Sequence, residues 1–223
     1  MLEVIALDAH DALAAERGGA DRLEVVADMA ADGLTPDPRI VKEIAQTTAL
    51  PQRVMLRGGP GFRTTPAELD RLSRQAEALA EAGAAGFVFG FLDQDGRIDE
   101  AGTARLAAGI APLPRTFHRA LDHAADPDDG WRTVRRLAGL DAVLTAGSAD
   151  GVTAGLDRLV QRAAGGGSDL LLVGGGLRLA HLERLRAAGV GAFHVGGPVR
   201  AEGRWDRPVE RGLVAEWAAA AGR

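Results

Sequence analysis

Thr116-Phe117-His118-Arg119-Ala120-Leu121-Asp122 joins a short β-type run, residues 114–117, to an imidazole, a guanidinium and a carboxylate. Groups that move protons and hold anions therefore gather where a strand gives way to its loop. In a parallel barrel that is the end of the strands where active sites are built. Outward from this stretch the same pattern recurs in both directions. Short apolar runs at residues 2–7, 22–26, 53–56, 86–91, 115–118, 142–145, 170–173 and 192–195 read as eight strands. Each is apolar enough to be a parallel strand covered on its outer face.

Helical patterns fill the intervals. Thr65-Pro66-Ala67-Glu68 has the form of a capping box with Pro at the first helical position, and Leu69, Leu72, Ala76 and Leu79 follow at helical spacing. Asp37-Pro38 and Asp126-Pro127 open two more helices, and a last one follows Pro208. Gly19, Gly83, Gly139 and Gly189 stand where helices should stop. Eight βα units without a break in composition predict one α/β domain over residues 1–223, a single (β/α)8 TIM barrel. A doubly wound open sheet is the competing architecture, and nothing in the chain marks a switch point for it.

Composition excludes several classes of function. At 223 residues the chain is long enough for a full core, and 46% hydrophobic with 26% charged residues reads as soluble and globular. The net charge of −5 and the lack of a basic block argue against nucleic acid. There is no Cys, so thiolate catalysis and thiolate metal sites are excluded. Met1-Leu2-Glu3 does not read as a signal peptide and no apolar run approaches a membrane span, so a cytoplasmic protein with no membrane partner is expected.

Four constellations carry chemistry. Glu3 and Glu24 each interrupt an apolar strand and share a face with Ile5 and Val26. A charge on the helix-covered face is costly, which places both in the barrel interior. There they serve as a general base or metal ligand, or as halves of a salt bridge to Arg53 or Arg57. Arg57-Gly58-Gly59-Pro60-Gly61-Phe62-Arg63 follows the third strand and offers guanidiniums for an anion site. His118 is the candidate acid–base, with Asp122 orienting it and Arg119 beside them. Gly174-Gly175-Gly176 and His194-Val195-Gly196-Gly197 end the last two strands, where barrels bind phosphate through backbone N–H groups. Thr145 and Gly147 end the sixth strand and face the same ligand, and Ser148 is expected to cap the next helix. His10 and His181 are expected at the surface, Met55 as core filler, and Asp93-Gln94-Asp95-Gly96 as a turn.

The chain resembles the CutC family of copper homeostasis proteins through Gly19-Ala20-Asp21-Arg22-Leu23-Glu24, Gly33-Leu34-Thr35-Pro36, Arg57-Gly58-Gly59, Thr116 to Asp122, and Leu144-Thr145-Ala146-Gly147. The resemblance implies a cytoplasmic TIM barrel, a homodimer, an association with copper, and a barrel-top cluster of Glu3, Glu24, Arg57, His118, Arg119 and Asp122. The chain departs from the family in lacking the cysteines on which copper binding leans in some relatives. It also reads Met55-Leu56-Arg57-Gly58-Gly59-Pro60-Gly61-Phe62 where the family carries an acidic residue before Phe, and Gly196-Gly197 where relatives carry small hydroxyl residues. Cu(I) prefers thiolate and thioether donors, and the three Met show no clustered spacing, so no tight Cu(I) site is expected. The metal is left open: Cu(II) or another divalent ion could use His118, His194 and the carboxylates, and no organic cofactor is expected. A metal-independent enzyme acting on a small phosphorylated or carboxylated metabolite stands beside that reading.

Overall fold

A computed structural model describes residues 1–222. Eight strands alternate with eight helices: β1 (Leu2–Ala6), α1 (Ala9–Gly18), β2 (Arg22–Val25), α2 (Pro38–Thr47), β3 (Gln52–Met55), α3 (Pro66–Glu81), β4 (Gly86–Phe89), α4 (Glu100–Ile110), β5 (Arg115–Phe117), α5 (Pro127–Val134), β6 (Leu140–Thr145), α6 (Val152–Arg162), β7 (Leu171–Val173), α7 (Leu179–Ala187), β8 (Ala192–Val195) and α8 (Arg211–Ala220). All neighbouring strands pair in parallel, and β8 returns to β1 to close the barrel. The expected (β/α)8 architecture is the observed one.

The helices begin where the side chains dictate. Asp37, Thr65 and Asp126 accept hydrogen bonds from first-turn N–H groups, and Pro occupies the first turn of each of those three helices. Gly19 ends α1 in the left-handed region, at φ 92°. Ser148 does not cap α6. Gly151 holds that position, and the Ser148 hydroxyl accepts instead from the Asp150 N–H. Asp93 closes the expected turn by accepting from the N–H groups of Asp95 and Arg97.

Two apolar regions follow from strand alternation. Outward residues such as Leu2, Val4, Leu23, Phe87, Phe117 and Phe193 are fully or almost fully buried against the helices. Inward residues Ile5, Val26, Met55 and Val88 form a separate cluster inside the barrel. Period two thus sorts each strand into a helix-facing set and an interior set. Below the interior apolar cluster, register places His194, Glu3 and Arg22 side by side on β8, β1 and β2. β5 ends at Phe117, one residue earlier than the sequence suggests, and His118 caps the 3-10 turn Arg119–His123.

Candidate active site

A cavity of about 250 Å³ opens at the C-terminal ends of the strands. Its floor holds Glu24 and His194, and its walls hold Arg57, His118, Arg119, Gly175, Gly176, Gly196 and Gly197. Glu3 lies one layer deeper. It is completely buried and uses both carboxylate oxygens: Arg22 Nε donates to one at 2.5 Å, and His194 Nδ1 lies 2.8 Å from the other. The salt-bridge partner is therefore Arg22, not Arg53 or Arg57. Arg53 pairs instead with Asp141. Pairing with Arg22 required the β1–β2 register, which sequence spacing does not reveal.

The electrostatics follow from this layering. Burial alone would raise the Glu3 carboxyl, but the His194 hydrogen bond and Arg22 hold it below its ordinary value. An ionised Glu3 only accepts, so His194 donates its Nδ1–H and turns Nε2 toward the cavity. Nε2 stands 3.8 Å from Glu24 Oε2. Among the described residues Glu24 has no cation in hydrogen-bond contact, and its Oε1 is buried without a protein partner. Burial pushes its carboxyl up to about 7, with the negative charge of Glu3 adding to the rise. Burial opposes a charged His194, but the carboxylates of Glu24 and Glu3 outweigh it and raise the imidazole. At neutral pH one proton is thus within reach of both Glu24 and His194 Nε2. A buried acid and base tuned toward working pH is the arrangement general acid–base catalysis uses.

His118 has a different character. It is buried, and its Nδ1 accepts from the Ala120 N–H at 3.3 Å. Burial, then the charge of Arg57, lowers its pKa to about 3. The ring is neutral, with Nε2 carrying the proton, and it can donate a hydrogen bond to a ligand. Phe62 packs edge-on to it at 5.3 Å between centroids and also contacts His123. Asp122 does not orient His118. It accepts from the Thr145 hydroxyl, the N–H groups of Ala146 and Gly147, and Arg119 Nε. Asp122, Thr145 and Gly147 therefore tie the end of β6 to the β5 loop behind the cavity wall, and Gly174 likewise stays off the cavity surface.

Arg57 is largely spent on backbone. Its Nη1 donates to the carbonyls of Ala31, Asp32 and Gly33 at 2.7, 3.2 and 3.1 Å, and its Nε to Gly61 at 3.0 Å. Asp28 and Asp32 in that loop take left-handed conformations at φ 48° and 59°. Non-glycine residues there cost about 1–2 kcal/mol each, and Arg57 holds the loop in that shape.

Arg119 faces the cavity more openly. Its Nε is fixed by Asp122 and its Nη2 by the Ala149 carbonyl at 3.2 Å. It lies over Gly175, where a Cβ would meet Arg119 Nε at 2.7 Å, so only glycine fits. Among the described residues the N–H groups of Gly175 and Gly176 donate to no protein acceptor.

The sequence underused four cavity residues. Met29, Met55, Phe62 and Trp205 all line the cavity, so the two internal Met meet in space despite their separation along the chain. Trp205 comes from the β8–α8 loop and lies against Gly196, where a Cβ would stand 2.3 Å from its ring. Arg200 stacks 5.1 Å from the Trp205 ring centroid and is itself gripped by buried Asp11. His181, expected at the surface, is buried, and it accepts from the Arg178 N–H at the start of α7.

Fold and site together define a (β/α)8 protein with a small cavity, polar on its floor and open at the C-terminal face of the barrel. The chain belongs to the CutC family, whose model matches residues 1–198. A human protein named copper homeostasis protein cutC homolog is 35% identical over 199 residues, covering 87% of this chain and 72% of its own. A CutC protein of Klebsiella pneumoniae strain 342 is 33% identical over 195 residues, covering 87% and 78%. A CutC chain of Streptococcus agalactiae, at 23% identity, superimposes with a TM-score of 0.78 over 88% of this chain and 97% of that one. Phosphoribosyl anthranilate isomerase of Thermus thermophilus shares the fold with a TM-score of 0.62 at 17% identity, over 98% and 96% of the two chains.

Proposed function

We propose that this CutC-family barrel performs proton-transfer chemistry on a small anionic metabolite, phosphorylated or carboxylated, bound in the top cavity. The observation that carries this reading is Glu24: a buried carboxyl at the cavity floor, raised to about 7, with one oxygen unpartnered and His194 Nε2 at 3.8 Å from the other. Glu24 takes a proton from one position of the bound molecule, and His194, steadied by Glu3, returns one to a second position, so the molecule is isomerised with no net change in protons. Neutral His118 donates a hydrogen bond to the ligand rather than titrating, so the acid–base role moves from His118 to the Glu24–His194 pair. Arg119 and the N–H groups of Gly175 and Gly176 supply the anion cradle. Gly196 and Gly197 form the opposite rim.

Proton NMR in D2O tests the reading. A panel of small carboxylates and phosphate esters is incubated with the protein and with its Glu24→Gln variant. Loss of a carbon-bound proton signal with the wild type but not the variant is the expected result. Absence of exchange, together with absence of any thermal shift across the panel, would sink the proposal.

A copper role is the second reading, carried over from the name of the human relative. It rests on Glu3, Glu24 and His194, whose ligating atoms lie within 4.8 Å of one another. Glu3 already holds Arg22 and His194, so it acts as the orienting carboxylate behind the ligand His. His194 Nε2 and Glu24 are the two donors free to reach an ion. An imidazole and a carboxylate suit a divalent ion and do not suit Cu(I).

A further inference from the structure

The cavity is divided by chemistry. On the β5 to β7 side stand His118, Arg119, Gly175 and Gly176. On the opposite side Ile5, Val26 and Met55 form a continuous apolar cluster, with Met29 and Trp205 packed on its edge. Glu24 and His194 lie in the floor beneath both halves. Trp205 completes the apolar half from outside the strands, on the segment after β8 that lies beyond the family match. Its indole is only partly buried, so part of the ring remains to be covered. It is held rather than free: the ring rests on Gly196, and Arg200 stacks beside it while bound to Asp11, the Ile5 carbonyl and the Arg207 carbonyl.

We infer that Trp205 is a specificity-determining residue, and that the ligand is an anion carrying a planar apolar body, its charge against Arg119 and Gly175–Gly176 and its ring against Trp205, Met29 and Met55. The inference rests on the small-anion reading of the cavity and adds the substrate class to it. An indole face and two thioethers form a soft, polarizable surface that favours a flat unsaturated group over a hydrated one. The cavity of about 250 Å³ falls below the range of ~300–1,000 Å³ common for larger ligands, which limits that body to about a single ring. A ring held there leaves the atoms between it and the anion above Glu24 and His194.

Calorimetric titration with inorganic phosphate and phenyl phosphate separates the two halves, and acetate and benzoate form a parallel pair that distinguishes phosphate from carboxylate. Phenyl phosphate or benzoate should bind about tenfold more tightly than its ring-free partner, the ~1.4 kcal/mol that a buried aromatic contact with its apolar area can supply. Trp205→Ala should erase that preference while changing affinity for the ring-free anion less than twofold, and Trp205→Phe should restore most of it. Arg119→Ala should weaken both members of a pair alike. Equal binding of ringed and ring-free anions, or a Trp205→Ala variant that keeps the preference, overturns the inference and leaves the anion site standing. Failure of every anion to bind overturns both.

Discussion

Glu24 is where one side chain decides the chemistry, and its effect on stability has a definite sign. Its folded pKa of about 7 stands above the ordinary 4.5. Between those values the folded chain binds more protons than the unfolded one, so stability falls as pH rises from about 4.5 to about 7. The raised His194 continues the same trend above its ordinary 6.5. Glu3, held low, acts oppositely and in a different window, since its contribution is lost only as pH drops below the ordinary carboxylate range. Glu24→Gln removes the titrating group and relieves the raised His194. The variant should therefore lose much of the decline in melting temperature between pH 5 and pH 8. At pH 8 it should be more stable than the wild type by on the order of 2 kcal/mol, since each pKa unit is worth ~1.4 kcal/mol. Denaturant titrations at the two pH values check this. A wild type whose stability does not fall across that interval would show that Glu24 is not held protonated.

At the scale of strands and loops, the site is an assembly of pins that single residues fasten. Arg57 gathers four loop carbonyls, most of them part-buried, so Arg57→Ala should cost about 1–3 kcal/mol by removing their common donor, and should weaken ligand binding through the loose β2–α2 loop. Arg57→Lys should recover little, because one ammonium cannot span the same fork of acceptors. Thermal melts of the three proteins make the comparison. Gly196 is a sharper probe, because an added Cβ would stand 2.3 Å from the Trp205 ring and 2.7 Å from Ile5 Cδ1. Gly196→Ala should push the indole off the cavity, and should shift tryptophan emission to the red. Unchanged emission would mean that Trp205 does not rest where the geometry puts it. These pins also mark the limit of what the sequence discloses. Alternation within a strand is local, so Glu3 and Glu24 could be sent to the interior and His118 to a strand end. The Glu3–Arg22 pair depends on register, Asp122 reaches across to β6, and Trp205 returns along the loop after β8. Those contacts join residues about twenty to two hundred positions apart, and no local pattern encodes them.

The whole molecule sets the terms for copper. The described surface exposes no large hydrophobic side chain, and no described helix is long and apolar enough to cross a membrane. The barrel is closed by its own strand ladder and apolar layers. The chain has no Cys and three Met, of which Met29 and Met55 reach the cavity. Two neutral thioethers and one imidazole are a weaker Cu(I) set than thiolates, which bring negative charge to the ion. Two outcomes should follow. A strong Cu(I) chelator should strip the protein completely, and the melting temperature should be the same before and after. Cu(II), if it binds, should raise the melting temperature with the logarithm of its concentration over Kd, and His194→Ala should abolish that rise, because His194 Nε2 is the nitrogen that Glu3 aims at the cavity. Stoichiometric Cu(I) surviving the chelator would show that the thioethers suffice and would place copper, rather than a metabolite, at the centre of this barrel's chemistry.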